Sequence, residues 1–444
     1  MKLNDIDVNR EYYVQSGLFH SHQGQYAKFL QSFDDVQIVK RFPISNSVLA
    51  SVPIHRILSL SQHEQVLEIV PDKSFHVNLP RATKSEQKIL KNFSKADTQW
   101  NIKYIGIDKV WKKGIEGKGH VFASADTGVE WRHPFLFRNY RGVEDNGVIN
   151  HNYSTLNYLF CIDWWDAVTE EIGKGPAKCS IKSSEPCDDN GHGTHTTSTV
   201  VGINGIGVAP KSKFIACRNM DRGLGKTSFY LSCLNFFLAP TNLNGDNPNP
   251  AKRPTVIGNS YGCPKSEGCA PNAFSRAVKA LKMAGIFMSV SAGNEGPKCE
   301  TIQAPPGFEP SVMSVGATSF KSDLIAWFSS RGPVNLLGLH NYTKPDISAP
   351  GVNILAAYPP DRFASLSGTS MASPHISGII LLLVEACPFI VWNVDALSEI
   401  IKRTAKPLFT TENCGSDTIK SVPNNVFGHG MVDPMKAIEF CQKM

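Results

Sequence analysis

Val121-Phe122-Ala123-Ser124-Ala125 runs without a charge straight into Asp126-Thr127-Gly128. Five small or apolar residues closed by a polar turn describe a short strand buried on both faces. Lys213-Phe214-Ile215-Ala216-Cys217, Thr255-Val256-Ile257-Gly258-Asn259 and Ile286-Phe287-Met288-Ser289-Val290 repeat the pattern, with helical stretches near 193–201, 228–238 and 272–284 between them. This βαβ rhythm predicts an α/β fold, a mainly parallel sheet with helices on both faces. Polar motifs follow the strands directly: Asp126 after one, Ser260-Tyr261-Gly262 after another, Asn294 after a third. Ligands of open parallel sheets bind at the carboxyl ends of the strands, so these motifs converge on one edge.

A further segment, Gly368-Thr369-Ser370-Met371-Ala372-Ser373-Pro374-His375, leads from a glycine turn into a long apolar helix. Ser370 thus meets unpaired backbone N–H groups that favour developing negative charge. Gly368 is expected to take a backbone conformation that side chains resist. Taken alone, Ser370 is equally well a helix cap. Its company is Asp126, His192 in Gly191-His192-Gly193-Thr194-His195, and Asn294 in Ala292-Gly293-Asn294-Glu295-Gly296. Nucleophile, base, orienter of the base and oxyanion donor are then all present, the complement of a serine peptidase.

Competing readings fail on specific residues. Aspartic peptidases need two carboxylates sharing a proton, whereas the second candidate, Asp417-Thr418-Ile419, lacks the glycine. Gly225-Lys226-Thr227 imitates the end of a phosphate loop, but position 220, where the first glycine belongs, is Met220. His195 has no third ligand at zinc-like spacing and reads as a core histidine.

The order Asp, His, Asn, Ser resembles the subtilisin-like serine peptidases, the subtilases, over residues 98 to 440. Within them the likeness is to the bacillopeptidase F group, carried by Asp126-Thr127-Gly128-Val129-Glu130-Trp131-Arg132-His133-Pro134, Asp163-Trp164-Trp165-Asp166-Ala167-Val168 and Phe427-Gly428-His429-Gly430. The resemblance implies a triad of Asp126, His192 and Ser370, with Asn294 in the oxyanion hole. It implies that Gly223-Leu224-Gly225 and Ser260-Tyr261-Gly262 sandwich the substrate backbone, and that Ser291-Ala292-Gly293 line the pocket before the scissile bond. The function implied is a serine endopeptidase working through an acyl-enzyme and requiring no cofactor. The alternative is a catalytically silent scaffold that binds extended peptides. Two departures stand out. Asp126 and His192 are 66 residues apart, longer than in compact bacterial relatives. Only 18 residues separate His192 from Pro210, so the loop that holds a tight calcium ion in those relatives is shortened and calcium remains an option elsewhere.

Ahead of the peptidase region lies a small α/β pattern. Tyr26 to Leu30 reads as helix, Val36 to Val39 and Ser47 to Val52 as strands, His55 to Leu58 as helix and Val66 to Val70 as a closing strand. This segment resembles the family's inhibitor-like propeptide. The implied division is 1–78 propeptide, 79–97 a polar, Lys-rich linker, and 98–444 peptidase, with self-processing somewhere in 78–96. The partners implied are protein or peptide substrates and the chain's own propeptide as an intramolecular inhibitor.

Bulk properties fit. At 444 residues the chain accommodates one large domain and a small one, and 41% hydrophobic residues support a sizeable core. A net charge of +6 without basic runs argues against a nucleic-acid partner. The strongest apolar run, Ile379 to Val384, is too short to span a membrane. No signal peptide is visible after Met1, yet 11 cysteines and sequons at Asn92, Asn152 and Asn341 point to a secreted or lysosome-like route. Cys217 and Cys233, in apolar segments, read as readily as buried thiols.

Overall fold

The computed structural model describes residues 9–16, 29–64, 66–77, 79–83, 87, 98–144, 147–149, 151, 163–262, 271–336 and 340–444. Asn92, Asn152, Cys161, Cys263, Cys269 and most of the 79–97 connection lie outside them.

Two sheets organise the chain. The first is antiparallel, with β1 (Asn9–Ser16), β2 (Gln37–Phe42), β3 (Ser47–Pro53) and β4 (Val66–Pro71) in the order β2-β3-β1-β4. The helix Ile57–Ser61 contributes Leu60 to a small core with Leu30, Val36, Val48, Ala50 and Val52. Strand β1 escaped the sequence reading because Asn-Arg-Glu-Tyr-Tyr-Val-Gln-Ser has no clean two-residue alternation. After β5 (Phe75–His76) the chain passes into a larger α/β region.

Its centre is a seven-stranded, wholly parallel sheet built from β6 (Val121–Asp126), β7 (Trp164–Asp166), β8 (Lys213–Arg218), β11 (Val256–Asn259), β12 (Phe287–Ser291), β13 (Met313–Thr318) and β16 (Ile347–Pro350). The strand order is β16-β13-β12-β11-β6-β8-β7. The chain therefore fills one side of β6 with β7 and β8, then crosses to the other with β11 onward. Such a switch point opens a crevice at the strand ends, and Asp126 is the last residue of β6. Short pieces complete the set: β9 (Met220–Asp221), β10 (Leu224–Gly225), the hairpin β14 (Val334–Leu336) with β15 (His340–Tyr342), and the hairpin β17 (Ile354–Tyr358) with β18 (Arg362–Leu366).

The four strands read from the sequence match β6, β8, β11 and β12, and the three helices match His192–Val201, Thr227–Leu238 and Pro271–Met283. Strands β13 and β16 were passed over; both mix small polar residues with apolar ones yet are buried throughout. The 18-residue helix Thr369–Ala386 runs beneath β11, β12, β13 and β16. It is the one described helix long and apolar enough to cross a membrane, but 89% of it is buried inside the fold. Its apolar character serves the core.

Four disulfides are described: Cys179–Cys187, Cys217–Cys233, Cys299–Cys414 and Cys387–Cys441. Cys217 and Cys233 are thus bonded and not free thiols; β8 and the helix Thr227–Leu238 bring their Cα atoms to 5.6 Å. Covalent links of this kind persist in oxidising compartments, so they fit an extracellular protein.

Candidate active site

Strand register brings the polar groups together. Asn259 of β11 lies opposite Ala125 of β6, so Ser260 leaves the sheet beside Asp126, about one ~4.8 Å strand spacing away. Ser370 Oγ donates to the Ser260 carbonyl at 2.8 Å. From the other side of β6, the helix His192–Val201 places its first residue over the same edge. His192 Nδ1 lies 2.8 and 3.0 Å from the two oxygens of Asp126. Asp126 also accepts from Thr127 N at 2.7 Å and from Thr196 Oγ1 at 3.3 Å. Asp126 and His192 are buried, and the carboxylate accepting at Nδ1 fixes the tautomer with its proton there, leaving the Nε2 lone pair to act as a base. Nε2 is buried and has no hydrogen-bond partner among the described residues. The structure therefore joins carboxylate to imidazole directly, while the serine hydroxyl is turned to Ser260.

Asn294 is anchored at one end only. Its Oδ1 accepts from Thr369 N at 2.9 Å and Thr369 Oγ1 at 3.0 Å, which directs the amide NH2 toward the space beside Ser370. Gly368, before them, has φ of 164°, an extended backbone open to any residue, so the expected special conformation is not its role. Space is: a Cβ there would lie 3.0 Å from Pro80 Cγ and 3.7 Å from the Asn294 amide. Gly191, in contrast, has φ of 100°, and a Cβ on it would meet the Tyr358 ring at 2.4 Å.

Ser370 and Asn294 face a cavity of about 470 Å³ that is also lined by Ser260, Tyr261, Gly262, Ser291 and Gly293. Ala292 behaves differently, its methyl packing with Ile302, Phe308 and Val334. The Gly223-Leu224-Gly225 stretch contains β10, which pairs with β5 from the N-terminal region, Leu224 opposite His76 and Gly225 opposite Phe75. Val77 N extends the pairing to the Gly223 carbonyl at 3.0 Å, and Leu79 enters the cavity beside Ser370. Phe75 to Val77, assigned from sequence to the 1–78 segment, thus pair along the Gly223–Gly225 stretch, and Leu79, the first residue of the expected 79–97 linker, lines the cavity.

His195 is a core residue: Nε2 contacts the Ile354 and Ala364 carbonyls at 3.0 and 3.1 Å, and burial pushes its pKa down to about 3. Asp188 was not singled out from the sequence. Its Oδ1 accepts from Thr127 Oγ1, Asn190 N and Gly191 N at 2.9, 3.0 and 2.7 Å, and its Oδ2 from Thr194 N and Thr194 Oγ1 at 2.9 and 2.6 Å. One buried carboxylate thus ties the turn after Asp126 to the turn before His192. The adjacent carboxylates in Cys187-Asp188-Asp189-Asn190-Gly191, just ahead of a helix start, were the available signal. No group of three or more His, Cys, Asp or Glu side chains suited to a metal ion occurs among the described residues.

Comparison with known proteins gives a consistent result. The model of the subtilase family matches residues 117–430. Bacillopeptidase F of Bacillus subtilis (strain 168) is 34% identical over 395 residues, which cover 87% of this chain and 25% of that protein. Serine protease AprX of the same strain is 29% identical over 284 residues, 58% of this chain and 60% of that one. Subtilisin-like protease 1 of Trichophyton equinum is 34% identical over 205 residues, 46% of this chain and 36% of that one. The chain spans less than two thirds of the length of each of these relatives.

Proposed function

The chain belongs to the subtilase family, and from that premise we propose that it is a serine endopeptidase made as a self-processed zymogen. One observation carries the reading: a buried imidazole whose Nδ1 is engaged by Asp126 and whose Nε2 has no partner among the described residues. In the proposed reaction the Ser370 hydroxyl turns away from the Ser260 carbonyl and donates to that nitrogen. Oγ attacks the scissile carbonyl carbon while its proton passes to His192 Nε2. The imidazolium so formed is stabilised by Asp126. The oxyanion receives hydrogen bonds from Asn294 Nδ2 and the Ser370 N–H. Collapse breaks the C–N bond, and His192 returns the proton to the leaving amine. Water then repeats the sequence on the acyl-enzyme.

Substrate binds as an added strand against β10, a mode that draws affinity from main-chain groups. The N-terminal segment supports this reading, since β5 is held there in that manner. Phe75 sits 5.4 Å from the Tyr230 ring, which stacks on Tyr261 at 4.2 Å. The antiparallel sheet ahead of β5 docks on the helix Thr227–Leu238. Asp72 accepts from Ser228 N at 3.0 Å, satisfying a donor at the helix start, and Lys40 Nζ donates to Ser232 Oγ at 2.6 Å. On this reading residues 1–78 act as propeptide and inhibitor, with processing in 78–96, and the disulfides and sequons support a secreted or lysosome-like route.

Ser370→Ala tests the proposal. It should abolish hydrolysis of a protein substrate and leave the purified chain with its N-terminal segment uncut by mass spectrometry. Continued self-processing in that variant refutes it, and an intact Ser370 chain inert toward every peptide returns the reading to a silent peptide-binding scaffold.

A further inference from the structure

We propose that the Arg222 carbonyl and the Asn190 side-chain oxygen form a subsite for a basic side chain of the bound peptide. This deepens the peptidase reading and rests on it. The chain's own segment displays the contact. Two residues after Leu79, which lines the same cavity as Ser370 and Asn294, the Arg81 guanidinium reaches back over Gly223. Its Nη2 donates to the Arg222 carbonyl. With the Asn190 amide turned so that oxygen faces the guanidinium, that oxygen accepts from Nη2 and, at 2.8 Å, from Nε. Asn190 is itself held in place, because its backbone carbonyl accepts from Tyr358 Oη at 2.9 Å.

The wall behind is negative. Arg218 is engaged by Asp166 and Asp189, and the Arg222 guanidinium by Asp221. Asp188, two residues before Asn190, has only neutral donors. Burial, with the nearby Asp188 and Asp221 carboxylates adding to it against the pull of Arg218, pushes the Asp189 carboxyl up to about 7. Carboxylate charge is crowded here, and a guanidinium or ammonium relieves the crowding, whereas a peptide carboxylate would add to it. Because Arg81 is exposed, the subsite confers a preference and not a requirement.

Fluorescein-labelled peptides covering residues 73–83 with Arg, Ala or Glu at position 81 test this by anisotropy. The partner is the full chain carrying Ser370→Ala, to prevent hydrolysis, and Arg81→Ala, to weaken its own competing contact. The Arg peptide should bind about tenfold tighter than the Ala peptide, equivalent to ~1.4 kcal/mol, and the Glu peptide weakest. Adding Asn190→Ala should bring Arg and Ala within about twofold, and Asn190→Asp should widen the gap, with salt at about 0.5 M narrowing it again. No saturable binding of the Arg peptide, Arg and Ala within about twofold on the unaltered subsite, or a preference unchanged by both Asn190 substitutions overturns the subsite. Because anisotropy needs no turnover, failure of the peptidase reading is scored separately, by inertness of the Ser370 chain toward protein substrates.

Discussion

Asp188→Ala should cost the fold more than a change to any of the groups proposed to react, Asp126, His192 or Ser370. The side chain receives five hydrogen bonds, three from backbone N–H groups and two from threonine hydroxyls, in a setting from which water is excluded. Removal leaves those donors buried and unsatisfied. A hydrogen bond to a charged group contributes roughly 1.5–3 kcal/mol, and an unmet buried donor costs about 1–3 kcal/mol. The five share one anchor and do not add, so a loss of about 3–5 kcal/mol is expected, the range for breaking a buried charged contact. That is a large part of the roughly 5–15 kcal/mol by which native domains are stable. Asp188→Asn provides the internal control. Its oxygen can serve Thr127, Asn190 and Gly191, while its NH2 opposes the Thr194 N–H, so about half the loss should be recovered. Urea unfolding followed by circular dichroism, in a Ser370→Ala background to prevent autolysis, reads both. A destabilisation under about 1 kcal/mol for Asp188→Ala, or an Asn variant no better than Ala, would show that the two turns are not held by this carboxylate.

Three further outcomes are expected. Asn294→Ala should lower kcat about 10²–10³-fold with little change in KM, the cost measured for the equivalent donor in subtilisin itself; an effect confined to KM in steady-state kinetics would remove Asn294 from the oxyanion site. Burial pushes the His375 pKa down to about 4, with Nδ1 donating to the Met371 carbonyl at 2.9 Å and Nε2 against Asn101 Nδ2 at 2.8 Å. Its imidazole should therefore stay neutral well below pH 6 by NMR, and a midpoint near 6.5 would contradict this. The unfolded chain takes up that proton first, so His375 lowers stability as pH falls from about 6.5 toward 4 and has no effect above. Gly193→Ala should fail to accumulate as folded protein, because its Cβ would lie 2.1 Å from the Gly128 carbonyl; normal yield and thermal stability would mean that the turn after Asp126 can move.

The parts of the fold readable in the sequence are those with strong local signatures. Strand β6 announces itself because a central parallel strand must be apolar or small on both faces, and Val121 to Ala125 obey. The four polar motifs were legible because each sits where a strand ends or a helix begins. Strand β16, Ile-Ser-Ala-Pro, was not, since its place in the sheet is set by pairing with β13 and by nothing in its own four residues. Non-local chemistry was hidden too. The Cys217–Cys233 pairing depends on how the helix Thr227–Leu238 lies against β8. Asp188 looks like a loop acid until Thr127 arrives from 61 residues away. The pairing of residues 75–77 along the Gly223–Gly225 stretch likewise follows from where β10 stands, which composition cannot convey.

The proposed chemistry requires Ser370 to become a nucleophile through His192. Incubating the full chain with a fluorophosphonate and mapping adducts by peptide mass spectrometry measures this most directly. A single adduct on Ser370 that disappears in His192→Ala is expected. An unmodified Ser370, or labelling that persists at the same rate without the imidazole, would contradict it.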